Sequence, residues 1–215
     1  MIGQRINLRN KGLTEEDPAA GDEWISGPFP IVRYIRLLYK ALSDIEAEGL
    51  IRIPGPIKTS EDGQITVQVF PETFCEKLFF GITYEVWMQH DENIETLRSK
   101  QAQVYKINNY DPKLSLILGY GNFSAQSVMD ILYKCFVQNN VTIYKTNPVN
   151  SYLHPLLEKT FKSLIRIGAL RIVDGGAAEG VHLTSHPLVD EIHLTGSKST
   201  FDAITEFWES NLIKE

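Results

Sequence analysis

A parallel α/β sheet with helices on both faces is the fold class that the sequence predicts for residues 113–215, behind a mainly helical region with one short strand segment over 1–112. Three observations predict it. Apolar runs at Leu114–Leu118, Val141–Tyr144, Leu170–Val173 and Val189–Leu194 read as short buried strands. Each is followed by an amphipathic stretch, and strands joined by helix-length crossovers run parallel. The fourth run leads straight into Thr195-Gly196-Ser197, a small polar turn that opens the last helix. Ligands of such sheets sit at the carboxyl ends of the strands, and free N–H groups at a helix start favour an anion there.

The elements follow in order. Residues 1–28 are rich in Gly, Pro, Asn and acidic side chains, and predict an irregular surface segment. From Pro30, the spacing of Ile31, Tyr34, Ile35, Leu38, Leu42 and Ile45 puts one apolar stripe on a helix, with Gly49 as its stop. Residues 54–63 predict a loop, and Gln64–Phe70 alternates like a strand. The aromatic run Phe79–Trp87 is expected to pack this region onto the α/β part, and residues 100–110 to form an extended connector.

Beyond Lys113, the first strand meets Gly119-Tyr120-Gly121-Asn122, and Ser124 is placed as the cap of a helix that buries Val128, Ile131, Leu132 and Phe136. The second strand leads into Lys145-Thr146-Asn147-Pro148 and then a helix over 151–167. The third meets Gly175-Gly176, with Gly180 close behind, and a short helix that ends near His186-Pro187. The last helix, 199–213, carries Phe201, Ile204, Phe207 and Trp208. This order of elements predicts a Rossmann-like domain over 113–215.

Composition narrows the function. A formal net charge of −6 argues against a nucleic-acid partner, which calls for a basic face. No apolar run approaches the roughly 20 residues that span a bilayer, so no membrane partner is expected. Met1–Asp17 is polar and lacks the apolar core of a secretory signal, and the two cysteines, Cys75 and Cys135, are widely separated. A cytoplasmic location is the expectation.

Several residues are candidates for chemistry. Gly119-x-Gly121 after a strand fits a nucleotide-binding turn, and fits equally a turn that needs glycine for its backbone. Lys145 at a strand end can donate to ribose or phosphate, or can be a solvated charge. Gly175, Gly176 and Gly180 allow close approach of a ligand, or simply form a tight turn. His182 and His186 lie four apart with His193 nearby, but Pro187 interrupts the geometry, and no metal is expected. Cys135 falls on the buried side of a helix as a small apolar residue.

Taken in order, these pieces resemble the dinucleotide-binding half of the aldehyde dehydrogenase superfamily. Most of the resemblance lies in Gly180–Ile204, through Ser185-His186-Pro187 and Val189-Asp190-Glu191-Ile192-His193-Leu194-Thr195-Gly196-Ser197. It covers residues 114–204 closely and 30–110 loosely. The resemblance implies NAD or NADP as cofactor. It implies that Asn122 is an oxyanion donor, that Lys145 contacts the adenosine ribose or its phosphate, and that Gly196 and Ser197 receive the pyrophosphate. Gly119, Gly121, Asn147, Gly176, Gly180 and Thr195 complete the cofactor-binding set.

Departures from the family pattern matter as well. Tyr120-Gly121 stands where the family has Pro-Trp, Pro148 where it has Glu, and Phe201, expected to crowd the pyrophosphate, where it has Gly. The family's nucleophilic Cys and general-base Glu lie further C-terminal than the 18 residues after Ser197. The expectation is therefore an incomplete, truncated aldehyde dehydrogenase fold, inactive alone. It would be an oxidoreductase subunit or fragment that acts on aldehyde or oxo groups when a catalytic half is supplied. The alternative is a non-catalytic nucleotide-binding or interaction module, a remnant of the same fold. The apolar terminal helix predicts a homo-oligomer or a separate catalytic chain as partner.

Overall fold

The computed structural model describes residues 2–212, with side chains over 5–206. The chain divides into two compact units, residues 1–35 with 109–215 and residues 36–108. This differs from a cut at residue 112, because the first 35 residues group with the α/β part. Residues 1–28 are not irregular. They hold α1 (Ile2–Asn10) and α2 (Ala20–Ser26). Leu8 and Ala20 are buried between these helices, and Glu23 accepts from Asn7 Nδ2 and from Lys11 Nζ at 2.6 Å. Helix α3 (Pro28–Glu48) runs across the division of the chain. Gly49 ends it at φ +71°, donating its N–H to the Ile45 carbonyl, a conformation that favours glycine.

The 36–108 unit is built on an antiparallel sheet, ordered β1 (Ile57–Thr59), β2 (Ile65–Phe70), β3 (Tyr84–Trp87). The expected loop over 54–63 thus contains a strand, held by pairing with β2 rather than by any pattern of its own. Gly55 is required there, since a Cβ would lie 2.4 Å from the Gln68 carbonyl oxygen. For the run Phe79–Trp87, the structure shows packing inside this unit: the rings of Phe79 and Tyr84 sit 6.1 and 5.3 Å from Phe70. Residues 100–110 are not simply extended, because Gln103–Tyr105 form a 3₁₀ turn after α4 (Ile94–Ser99).

The other unit carries four parallel strands, β4 (Leu114–Leu118), β5 (Val141–Lys145), β6 (Leu170–Val173) and β7 (Glu191–Leu194), in spatial order β6-β5-β4-β7. Leu116, Ile117, Tyr144 and Leu170 are almost wholly buried, as sheet strands covered on both faces should be. The crossovers are α5 (Ser124–Leu132) with a π turn over Tyr133–Val137, then α6 (His154–Thr160) and α7 (Lys162–Arg166), then α8 (Ala177–Thr184). The single helix expected over 151–167 is broken at Phe161, whose ψ of +17° leaves the helical range. Helix α9 (Lys198–Leu212) follows β7. This is a Rossmann-like arrangement. From β4 the chain winds outward through β5 to β6, then returns across the sheet to place β7 on the other side of β4. The reversal opens a crevice at the carboxyl ends of β4 and β7.

At the opposite end of the sheet, polar groups replace apolar packing. Glu191 Oε1 accepts from Lys134 Nζ at 2.7 Å, Ser115 Oγ at 2.5 Å and Asn140 Nδ2 at 3.1 Å. Asn140 Oδ1 in turn accepts from Tyr110 Oη and the Lys113 N–H. This network ties β4, β7 and the end of the π turn together.

Candidate functional site

A cleft of about 810 Å³ lies at the carboxyl ends of the parallel strands, within the 300–1,000 Å³ usual for small-molecule sites. Its walls are the turn Gly119–Asn122 after β4, the segment Lys145–Pro148 after β5, the start of α8, and Thr195–Ser197 with the first turns of α9. The expected oxyanion donor Asn122 and the expected cofactor-binding residues Gly119, Gly121, Lys145, Asn147, Gly176, Gly180, Thr195, Gly196 and Ser197 all line it. They come from four different loops, and only the parallel sheet brings them together.

The glycines differ in what forces them. At Gly119 a Cβ would sit 2.6 Å from Tyr144 Oη and 2.8 Å from both the Asn147 nitrogen and the Lys145 oxygen. The turn after β4 is therefore pressed against the end of β5, where the Gly119 N–H donates to the Lys145 carbonyl at 2.8 Å. Gly180, by contrast, would meet nothing within 4 Å, so the protein's own packing does not require glycine there. Gly196 is intermediate: its added carbon would meet only the flexible end of Leu194, at 3.1 Å.

Two asparagines shape the first turn. Asn147 Nδ2 donates to the Gly119 carbonyl at 3.3 Å, while its Oδ1 caps the Val149 N–H. Asn150, only 4% exposed, donates from Nδ2 to the carbonyls of Tyr120 at 2.7 Å and Gly121 at 2.9 Å. Because N–H and C=O point oppositely across a trans peptide, the amides of Gly121 and Asn122 are turned away from Asn150. Sequence reasoning missed Asn150; its position two residues after Pro148 gave no sign of a contact with residues 120 and 121.

Ser124 does not cap α5. The helix begins at Ser124, and the capping position falls on Phe123, which has no side-chain acceptor. Ser197 does act at the start of α9, where its Oγ accepts from the Thr200 N–H at 3.2 Å and lies 2.8 Å from Ser199 Oγ. Phe201 does not crowd the cleft. It lines a separate groove beside β7 with Ile192, Leu194 and Ile204. Phe207 and Trp208, as side chains, and Ile213 altogether lie outside the described residues.

Among the described residues that line the cleft, Lys145 is the one with a charged side chain. It is 7% exposed, and burial pushes its ammonium below the usual lysine range, against the opposing charges of Glu179 and Asp174. Thr146 and Ser151 hold the Asp174 carboxylate with their hydroxyls. The Gly176 N–H holds the Glu179 carboxylate at 2.7 Å.

No model of a known protein family, no curated protein and no solved structure matches this chain.

The remaining candidates are elsewhere. His182 and His186 meet edge to face at 5.8 Å, and His193 Nε2 lies 3.3 Å from Asp130. Among the described residues, no group of three His, Cys, Asp or Glu side chains is arranged to hold a metal ion. Cys135 is half-buried with its Sγ 3.5 Å from Thr142 Oγ1, and burial pushes its thiol up. Cys75 is exposed and belongs to the 36–108 unit. No cysteine is among the described residues that line the cleft. No described helix is long and apolar enough to cross a membrane.

Proposed function

We propose that the cleft binds a dinucleotide, NAD or NADP. In this reading the chain serves as the cofactor-binding subunit or fragment of an aldehyde-dehydrogenase-like oxidoreductase, acting on aldehyde or oxo groups once a catalytic half is supplied. One observation carries the reading. Two small-residue turns and a buried lysine whose ammonium has no hydrogen-bond partner among the described residues converge on a single cleft at the strand-order reversal. That is where open α/β sheets take nucleotides.

Each part of the cleft suits one part of the cofactor. The start of α9, with Gly196 offering no side chain and Ser197 a hydroxyl, suits a pyrophosphate. Lys145 suits the adenosine ribose, and Asn122, at the exposed rim after the first turn, suits an oxyanion on the substrate. When bound, the nicotinamide supplies the hydride acceptor. The chain's own residues bind it, orient it and hold the pyrophosphate charge.

Calorimetric titration of the chain with NAD and NADP tests this. Gly196→Val fills the phosphate approach, and Lys145→Met removes a charged donor worth about 1.5–3 kcal/mol, roughly tenfold or more in affinity. Equal affinity in the wild type and both variants would remove the assignment.

A second reading, a non-catalytic nucleotide-binding or interaction module, is favoured by the absence of any thiol from the described cleft walls. Thiohemiacetal chemistry needs a thiolate at the substrate carbon. Dinucleotide binding without turnover, even when a candidate catalytic chain is added, is the result this reading expects.

A further inference from the structure

Three successive carbonyls of the first cleft turn are held by two side-chain amides from the segment after β5. Asn147 Nδ2 donates to Gly119 at 3.3 Å, and Asn150 Nδ2 donates both to Tyr120 at 2.7 Å and to Gly121 at 2.9 Å. Asn150 is 4% exposed and does not line the cleft, whereas Gly119, Tyr120, Gly121 and Asn122 do. A carboxamide nitrogen carries two hydrogens, so one buried side chain serves both carbonyls. Serine has one hydrogen to give, and an ionised aspartate has none. Asn150 is itself tied down, since its N–H donates to the Asn147 carbonyl at 2.8 Å.

Pinned carbonyls fix the amides behind them. Across each trans peptide the N–H points opposite the C=O, so the N–H groups of Gly121 and Asn122 face away from Asn150. Neither donates to an acceptor among the described residues. Turning either peptide over would break a bond to Asn150, so two donors stay preorganised on one side of the turn. Access to them is open. A Cβ at Gly121 would meet only the Asn147 side chain, at 3.6 Å or more, and the fold's own packing does not call for glycine there. The same cleft holds a countercharge: Lys145 lines it, is 7% exposed, and its ammonium has no hydrogen-bond partner among the described residues.

We propose that Asn150 is the positioning residue of this turn, holding the Gly121 and Asn122 N–H groups towards an anionic oxygen of the ligand. This goes beyond the dinucleotide reading, because it needs an anion in the cleft but no nucleoside. Asn150 touches no ligand. It acts by keeping two peptides from turning over.

Amide spectra of the full ¹⁵N-labelled chain test it, with sulfate as the bare oxyanion and NAD as a second titrant. In the wild type, sulfate should move the Gly121 and Asn122 amide protons downfield in a saturable way. Asn150→Ala should abolish those shifts while hydrogen exchange at Leu116 and Ile117 stays slow, showing that the sheet is intact. Gly121→Ala tests the same amides without touching Asn150, and its methyl group should weaken sulfate several-fold. In Asn150→Asp, the carboxylate has no hydrogen to donate near neutral pH. Burial raises such a carboxyl, so at about pH 5 protonation returns one donor, and sulfate affinity should rise on acidification more steeply than the wild type's. NAD moving the same two amides assigns the oxygen to the cofactor. NAD bound at Gly196 and Ser197 without moving them assigns it to the substrate. Sulfate shifts with no response to NAD anywhere support this site and remove the dinucleotide reading. Absence of sulfate shifts at Gly121 and Asn122 in the wild type overturns the proposal, as do unchanged shifts in a folded Asn150→Ala.

Discussion

Replacing Glu191 with Gln should destabilise the parallel-sheet unit more than replacing its partner Lys134 with Met. Lys134 is 6% exposed, and its ammonium touches two acceptors, Glu191 Oε1 and Gln138 Oε1, each at 2.7 Å. Glu191→Gln leaves that ammonium buried with no opposing charge in contact, a loss of about 3–5 kcal/mol. Lys134→Met instead leaves the carboxylate with Ser115 Oγ at 2.5 Å, Asn140 Nδ2 at 3.1 Å and Lys113 Nζ at 3.9 Å. Its expected cost is about 1.5–3 kcal/mol, that of one charged hydrogen bond. The double variant should cost less than the sum, since the ammonium stranded by the first change is removed by the second. Native-state hydrogen exchange at Leu116 and Ile117, in the buried strand β4, reads this unit separately from the other.

The same carboxylate sets a pH dependence. Burial pushes Glu191 up, but hydrogen bonds from Lys134 and Ser115 and the charges of Lys134 and Lys113 outweigh it, leaving the group below its ordinary value. Its contribution is therefore fully present above the unfolded glutamate value of about 4.3 and is lost as pH falls through the lower folded value. The Glu191→Gln variant should show a shallower acid destabilisation than the wild type. Equal costs for the two single variants, or an unchanged acid limb, would refute the reasoning.

Three further outcomes are expected. Gly119→Ala should destabilise by about 1–3 kcal/mol or more in urea unfolding, because two of the three atoms it meets are backbone and cannot swing aside; a neutral result would show that the first turn is not pressed against β5. The purified chain should produce no NADH from aldehydes even when fully reduced, since neither Cys75 nor Cys135 lines the cleft; turnover abolished by substituting either cysteine would refute this. Light scattering across a concentration series should show self-association, because β7 pairs only with β4 among the described residues and the groove beside it exposes Phe201 over Ile192 and Leu194. A monomer at every concentration would end that expectation.

The parallel sheet was legible because β4, β5 and β6 are short, mainly apolar runs separated by helix-length stretches. The glycine and Thr-Gly-Ser turns were legible because small residues at strand ends are local signals. What stayed hidden depends on distant partners. Asn150 matters through carbonyls 29 and 30 residues away, and Glu191 through Ser115, 76 residues away. No local pattern marks either. Helices α1 and α2 were hidden by composition: polar residues such as Asn7, here buried and accepting from Tyr152 Oη, read as surface until their tertiary partner is known.

The central claim is that Gly196, Ser197 and Lys145 form a dinucleotide site. Site-resolved amide spectra of the ¹⁵N-labelled chain titrated with NAD test it most directly. Saturable shifts are expected at Gly196, Ser197, Gly121 and Lys145, at the ends of β4, β5 and β7, with Ser115 and Thr142 at the opposite end of the sheet unmoved. Shifts confined to residues outside the cleft, or none at saturating NAD, would contradict it.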